Sequence, residues 1–371
     1  MFITILVLIV VLGILILVHE WGHFITAKKS GVKVEEFGFG YPPRIFGRKG
    51  KDGVIYSLNW IPIGGFVKIK GENGEERNDP DSFGNKSFSK RALILSAGVI
   101  MNVILAFFIF SLGYMFGMPQ AIDDELEKDL NVKNIKVQIE AVLETSPAAL
   151  AGLEVGDWIT KIDEMNVETV NGLQQYIKEH SEDPQMLVIN RNNEMLSIEV
   201  TPEVIEGFTE DKAIGVSLVK TGVVRYNFFE SWYQGGKITI NLLTRIVQAF
   251  YGLFKNLFMG NGLAMEVSGP VGVAVIAGQV ADRGFIYLLQ FTAILSLNLA
   301  VLNFLPFPAL DGGRFLFLVI EKIRRKPNNQ NIENTVHGIG FALLMLLVLF
   351  VTYRDVTRFG GGLIDWVKNL F

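Results

Sequence analysis

The first eighteen residues carry no charge, and at their end stands His19-Glu20-Trp21-Gly22-His23. Nothing else in the chain constrains the fold as strongly. A segment this apolar enters or crosses a bilayer, and ionisable side chains there are costly unless they serve a site. On a helix, positions i and i+4 share a face, so the two imidazoles stand one turn apart, where both can bind one Zn²⁺. Glu20, beside them, is placed to take a proton from a water at such a metal. The chain has only 4 His in 371 residues, so the pair is no by-product of a His-rich composition.

Half of the residues are hydrophobic, the mean hydropathy is +0.34, and long uncharged runs recur. This composition belongs to an integral membrane protein with about four transmembrane helices, expected at roughly 2–26, 92–116, 285–305 and 338–353. The first run is read as a retained span and not a signal peptide, since it lacks a basic flank and a small-residue cleavage site. Lys28 and Lys29 follow it, which puts that end in the cytosol and the N-terminus outside. The loop 28–91, with 13 basic and 8 acidic residues, fits the same side, as do Lys322, Arg324, Arg325 and Lys326. Arg354 and Arg358 run against the rule; the expected topology remains four spans with both ends outside.

The net charge of −4 hides an asymmetry. Residues 120–225 hold 21 acidic and 9 basic side chains, a net of −12, which leaves +8 for the remainder. An acidic exterior domain on a basic membrane part argues against nucleic acid as a partner. Zero cysteines exclude disulfides and thiolate chemistry.

Four regions follow. Residues 1–119 form an N-terminal membrane core with the His-Glu motif, a hairpin loop and the second span. Within that loop, Val32–Tyr41 and Val54–Ile69 are rich in β-branched and aromatic residues around a Pro-Pro, Gly and Lys/Arg stretch, the pattern of hairpins on the cytosolic side of the membrane. One open sheet edge there could pair with an extended peptide; an ordinary hairpin is the other reading. Residues 120–225 are an inserted, extracytoplasmic α+β domain with strands at Ile135–Val142, Trp158–Ile162, Met186–Asn190 and Leu196–Val200 and a helix at Val170–His180. Residues 226–284 form an interfacial region, where 232–258 read as an amphipathic helix on the outer leaflet. Residues 285–371 complete the membrane core.

The metal site needs a third ligand. A His six residues after the second is replaced by Lys29, and 37–51 contain no acidic residue, so the ligand comes from far along the chain. Asn303-Phe304-Leu305-Pro306-Phe307-Pro308-Ala309-Leu310-Asp311-Gly312-Gly313 closes the third span at the depth of His19 and His23. The two prolines break the helix and let Asp311 turn toward the first span. Two His and one carboxylate leave a fourth position for water. His180 and His337 read as ordinary surface or boundary residues.

These motifs together resemble the bacterial site-2 proteases, intramembrane zinc metalloproteases of the RseP type. The resemblance covers the His-Glu motif, the hairpin loop and Ser146-Pro147-Ala148-Ala149-Leu150-Ala151-Gly152-Leu153 with Gly156-Asp157-Trp158-Ile159, a PDZ-like signature. It extends through Ser268-Gly269-Pro270-Val271-Gly272 to Asn303–Gly313. It implies His19, His23 and Asp311 as ligands of Zn²⁺ and Glu20 as catalytic acid/base. It places Asn298 and Asn303 near the substrate, with Pro306 and Pro308 shaping the loop that carries Asp311. Two departures stand out: one PDZ-like domain where many members have two, and Val99 where the family's Gly-Pro-x-x-Asn motif has its proline, in Gly98-Val99-Ile100-Met101-Asn102.

The implied activity is peptide-bond hydrolysis within transmembrane segments of single-span proteins already trimmed by another protease, such as anti-sigma factors or remnant signal peptides. The implied place is the inner membrane of a bacterium, with the lipid bilayer itself as a partner. The rival from another class is a non-catalytic, PDZ-bearing membrane scaffold on a degenerate protease core. It predicts loss of His19, Glu20, His23 or Asp311, and all four are present. A transporter would show internal repeats, and none is visible.

Overall fold

The computed structural model describes residues 2–74, 76–122, 132–143, 145–191, 194–205, 211–260 and 269–368. Ser268, in the Ser-Gly-Pro motif, lies outside them. The chain divides into two compact units, residues 1–111 with 233–371, and residues 112–232.

The long helices at the centre of the first unit are apolar on all sides, as burial in lipid and protein together requires. Helix α1 is Phe2–Lys29 and α2 is Phe88–Phe116. Among the described residues, four segments are long and apolar enough to cross a membrane: Leu6–Lys29, Phe88–Phe116, Phe285–Phe304 and Gln330–Thr357. They match the four expected spans in number and place, and the last begins eight residues earlier than the sequence pattern suggested.

Between α1 and α2, strands β1 (Val34–Lys49) and β2 (Ile55–Ile69) form a two-stranded sheet. Each strand is long enough to double over. Residues 36–39 face Gly65–Lys68 on one side and Ile55–Leu58 on the other, while 46–49 face Ile55–Leu58 again. The result is a sheet of four short segments in the order 61–69, 34–41, 55–59, 44–49. Its 61–69 edge has no strand beside it among the described residues. Phe24 and Trp21 of α1 hold the sheet through Phe37, at ring separations of 5.1 and 5.9 Å. Phe24, Val34, Phe37, Val54, Ile69, Ile94 and Leu95 bury one continuous core under it.

The second unit is a six-strand path: β3 (Met118–Ala121), β4 (Lys133–Val142), β5 (Trp158–Ile162), β7 (Gln185–Arg191), β8 (Glu194–Val200) and β9 (Val216–Val224). A two-residue β6, Met165–Asn166, pairs with β5. The order is β3-β9-β4-β5-β7-β8. Two helices accompany it, α3 (Pro147–Leu150) and α4 (Val170–Glu179), capped by Ser146 and Thr169. Ile139, Ile162, Leu173, Leu187 and Ile189 form its core. The expected strands and helix are present. Strand β9, which the sequence reading omitted, lies inside the sheet; Lys220, Thr221 and Gly222 blur its alternation.

The expected interfacial stretch contains two different helices. In α5 (Phe228–Phe258), Ile240, Val247, Tyr251 and Phe254 leave an exposed apolar stripe, as an interfacial helix requires. By contrast, α6 (Pro270–Asp282) is apolar and packs into the helical core, its Gly278 against Thr4 of α1. Buried Asp355 accepts a hydrogen bond from the Gly272 N–H at 2.7 Å. The remaining helices are α7 (Phe285–Phe304), α8 (Asp311–Arg324) and α9 (Gln330–Lys368).

Asp157 in the second unit is 1% exposed and is bound by Arg191 through two nitrogens at 2.7 and 2.8 Å. Removing the guanidinium leaves a buried carboxylate without its cation. Arg191→Ala should therefore cost the unit about 3 kcal/mol, read as an earlier denaturant transition in the fluorescence of Trp158.

Candidate metal centre

Three side chains meet where α1, α2 and the start of α8 converge. His19 Nε2 lies 2.9 Å from Asp311 Oδ2, His23 Nε2 lies 3.2 Å from the same oxygen, and the two Nε2 atoms are 3.2 Å apart. Among the described residues this is the one His/Asp/Glu cluster with metal-binding spacing. Both imidazoles are buried.

The donor set fits a divalent cation. His23 Nδ1 sits 2.8 Å from the carbonyl of Ile94, so Nδ1 carries the proton and Nε2 presents a bare lone pair. That lone pair points at a carboxylate oxygen and a second imidazole nitrogen. A proton can bridge one edge of this triangle; a cation satisfies all three. Tetrahedral ligands at about 2.0–2.1 Å from Zn²⁺ are about 3.3 Å apart, close to the edges seen here.

Helices α1 and α8 deliver these atoms. α1 supplies both His by its own periodicity, and α2 closes the site because its backbone comes against α1. A Cβ on Gly22 would lie 2.4 Å from the Ala97 carbonyl oxygen. One residue on, a Cβ on Gly98 would lie 2.4 Å from His23 Nε2 and 2.7 Å from His19 Nε2. Gly98 thus leaves open the space into which both imidazoles point, a role the sequence reading did not assign. Its position in the Gly98–Asn102 motif was the available signal.

Asp311 begins α8 after the break at Leu305–Leu310. The chain doubles back so tightly that a Cβ on Gly312 would meet the carbonyls of Phe304 and Leu305 at 2.2–2.3 Å. One stripe of α8 then fixes the helix: Asp311 at the site, Arg314 paired with Glu72, Leu318 in the core, and Glu321. Glu321 accepts from Arg91 at 2.8 Å and from Arg77 at 2.9 Å. Burial alone would raise the Glu321 carboxyl, but the two guanidinium groups outweigh it and hold it below the usual carboxylate range.

Glu20 is half-buried and makes no side-chain hydrogen bond among the described residues. It faces β2, where a Cβ on Gly65 would lie 3.7 Å from its Cγ. Asn298 donates to the Ile294 carbonyl of its own helix at 3.0 Å. Asn303 is half-buried, Pro306 exposed and Pro308 half-buried in the turn before Asp311. His337 departs from the expectation of an ordinary boundary residue. Its Nδ1 accepts a hydrogen bond from the Ala309 N–H at 2.8 Å, two residues before Asp311. Contacts of this kind leave no periodic signature.

A model of Peptidase family M50 matches residues 7–347. A protein of Clostridium perfringens is 36% identical over 343 residues, covering 92% of this chain and 95% of its own length. The zinc metalloprotease RasP of Geobacillus kaustophilus is 30% identical over 441 residues, covering 96% of this chain and 98% of its own. The solved PDZ domain of an SdrC-like protein from Listeria innocua aligns with 22% of this chain and 92% of its own length, at 24% identity and a TM-score of 0.21. This chain belongs to Peptidase family M50.

Gly98→Ala adds one methyl group at the mouth of the imidazole pair. In a helix that change favours the backbone by about 1 kcal/mol. Metal uptake by the purified protein should nevertheless fall sharply while its helical circular dichroism is unchanged.

Proposed function

We propose that the protein is a zinc-dependent intramembrane endopeptidase that hydrolyses peptide bonds within the transmembrane segments of single-span proteins. The observation that carries this reading is the His19, His23 and Asp311 cluster, with Glu20 beside it, inside a core of four apolar helices. His19 Nε2, His23 Nε2 and Asp311 Oδ2 would hold the ion. When bound, Zn²⁺ supplies a Lewis acid that polarises the scissile carbonyl and acidifies a water.

Glu20 performs the proton work. It takes a proton from the attacking water as oxygen bonds to the carbonyl carbon, then delivers it to the leaving amide nitrogen as the C–N bond breaks. Its lack of a hydrogen-bond partner leaves both oxygens available for the transfer. Asn303 stands eight residues before Asp311 with its amide uncommitted and is assigned to the developing oxyanion or to holding the peptide. Asn298 gives one amide hydrogen to its own helix, which leaves its second N–H and its oxygen for a substrate.

A helical substrate hides its carbonyls in its own hydrogen bonds, and unwinding it in lipid exposes groups that cost several kcal/mol each. The open 61–69 edge of the sheet runs beside Glu20 at Gly65 and offers replacement partners by strand addition. Positive charge in the 28–91 loop supports a cytosolic position for this edge, with the PDZ-like domain outside. That domain serves either as a groove for a newly made C-terminus or as a filter against substrates with bulky exteriors. Substrates already trimmed by another protease satisfy both.

Zinc content of the purified protein tests the site: about one ion per chain, lost in His23→Ala and Asp311→Ala and kept in Glu20→Gln. Cleavage by Glu20→Gln should fall by about a hundred- to ten-thousandfold. A parent that takes up no zinc, or an Asp311→Ala variant that holds it as tightly, contradicts the assignment. For the sheet edge, proline placed in turn at Phe66, Val67 and Lys68 should lower cleavage at positions whose N–H faces outward, with bound zinc unchanged. Normal cleavage by all three would rule out strand addition.

A further inference from the structure

The segment between α7 and α8 has to present Asp311 at one spot, yet it has few interactions of its own. Phe307 N–H donates to the Leu305 carbonyl and Leu310 N–H to the Phe307 carbonyl. Ala309 lies inside the turn that the second bond closes, after Pro308, with φ +80°, a conformation that costs a residue with a Cβ and persists where the surroundings support it. Support beyond the turn comes from α9. His337 Nδ1 accepts the Ala309 N–H at 2.8 Å, and the Gly340 backbone lies so close that a Cβ there would meet the Pro308 Cβ at 2.4 Å. The His337 ring is itself placed by Phe317 of α8, at a centroid separation of 5.4 Å.

The tautomer follows from the bond. To accept from Ala309, Nδ1 must be bare, so Nε2 carries the proton, and Nε2 is buried without a partner among the described residues. An unpaired buried N–H is a standing cost that a purely space-filling ring would avoid. The geometry points to His337 as a positioning residue for the metal centre. It pins Ala309 in its left-handed conformation and thereby sets where Asp311 Oδ2 stands relative to His19 and His23. This inference rests on the reading of Asp311 as a zinc ligand. His337 touches neither the ion nor a substrate; it acts through two residues of backbone.

The test is the zinc affinity of the full-length protein, by competition with a chelator, together with the visible spectrum of the Co²⁺-loaded form. His337→Phe keeps the ring and its contact with Phe317 and removes only the acceptor. It should weaken zinc about ten- to a hundredfold, as loss of supporting shells around metal ligands does, and dim the four-coordinate Co²⁺ bands. His337→Asn places an amide oxygen where Nδ1 was and should restore affinity to within about threefold. Ala309→Gly makes the left-handed conformation accessible without help, so in that background His337→Phe should cost no more than about threefold.

Zinc binding by His337→Phe equal to that of the parent overturns the inference and leaves the proposed function standing. So does an Asn variant as weak as Phe together with no relief from Ala309→Gly. Absence of zinc from the parent overturns both. If His337→Phe does not fold, His337→Gln decides in its place. Its longer side chain puts the amide at the Nε2 position, so it must bind zinc at least about tenfold more weakly than His337→Asn; equal affinities overturn the inference.

Discussion

Two imidazoles of the first helix and a carboxylate almost three hundred residues later converge within 3.2 Å of one another, and the rest of the helical core can be read as the means of holding them there. Such a triangle of acceptor atoms is unstable by itself in a low-dielectric interior, so it must be assembled by stronger packing around it. The Gly22 and Ala97 contact brings α2 against α1 at the depth of the imidazoles. Leu318 anchors α8 in the same core as Phe24 and Phe37, and Glu321 ties that helix to Arg77 and Arg91. Remove the site and these close contacts, including glycines on both sides, lose their common purpose.

The sheet between α1 and α2 belongs to the same design. Its aromatic anchors are on the α1 turn that carries the His-Glu motif, and its open edge passes the side chain of Glu20. A peptide laid along that edge would have its backbone polar groups satisfied in surroundings that offer no water. The exposed Tyr41, Ile45, Phe46, Trp60 and Ile61 give the far half of the sheet an apolar surface suited to a bilayer interface. The proposed function would concentrate binding, unwinding and proton transfer on one turn of one helix.

Much of this was legible in the sequence because it obeys simple periods. An uncharged run ending in His19 and His23 at i and i+4 announces both a span and a pair of imidazoles on one face, and Pro306, Pro308 and Asp311 announce where a carboxylate turns back toward them. The strands of the second unit are legible by alternation and turn residues. What escaped depends on contacts between segments remote in sequence. Gly98 looks like any helical glycine until α2 is laid against α1, and His337 looks like a boundary histidine until Ala309 is found beneath it. Strand β9 was missed because Lys220 and Thr221 dilute its pattern. Helix α6 is apolar but only thirteen residues long, too short to read as a span, and its packing on α1 depends on Thr4, far away in the sequence.

The central claim is a metal site with two imidazoles and one carboxylate drawn from opposite ends of the chain. X-ray absorption at the zinc edge of the purified full-length protein tests it most directly. The account predicts four light-atom ligands at about 2.0–2.1 Å with the multiple-scattering signature of two imidazoles, a signal absent from His23→Ala because that variant holds no zinc at the site. A six-coordinate oxygen shell without imidazole scattering, or a spectrum identical in the parent and His23→Ala, would contradict it.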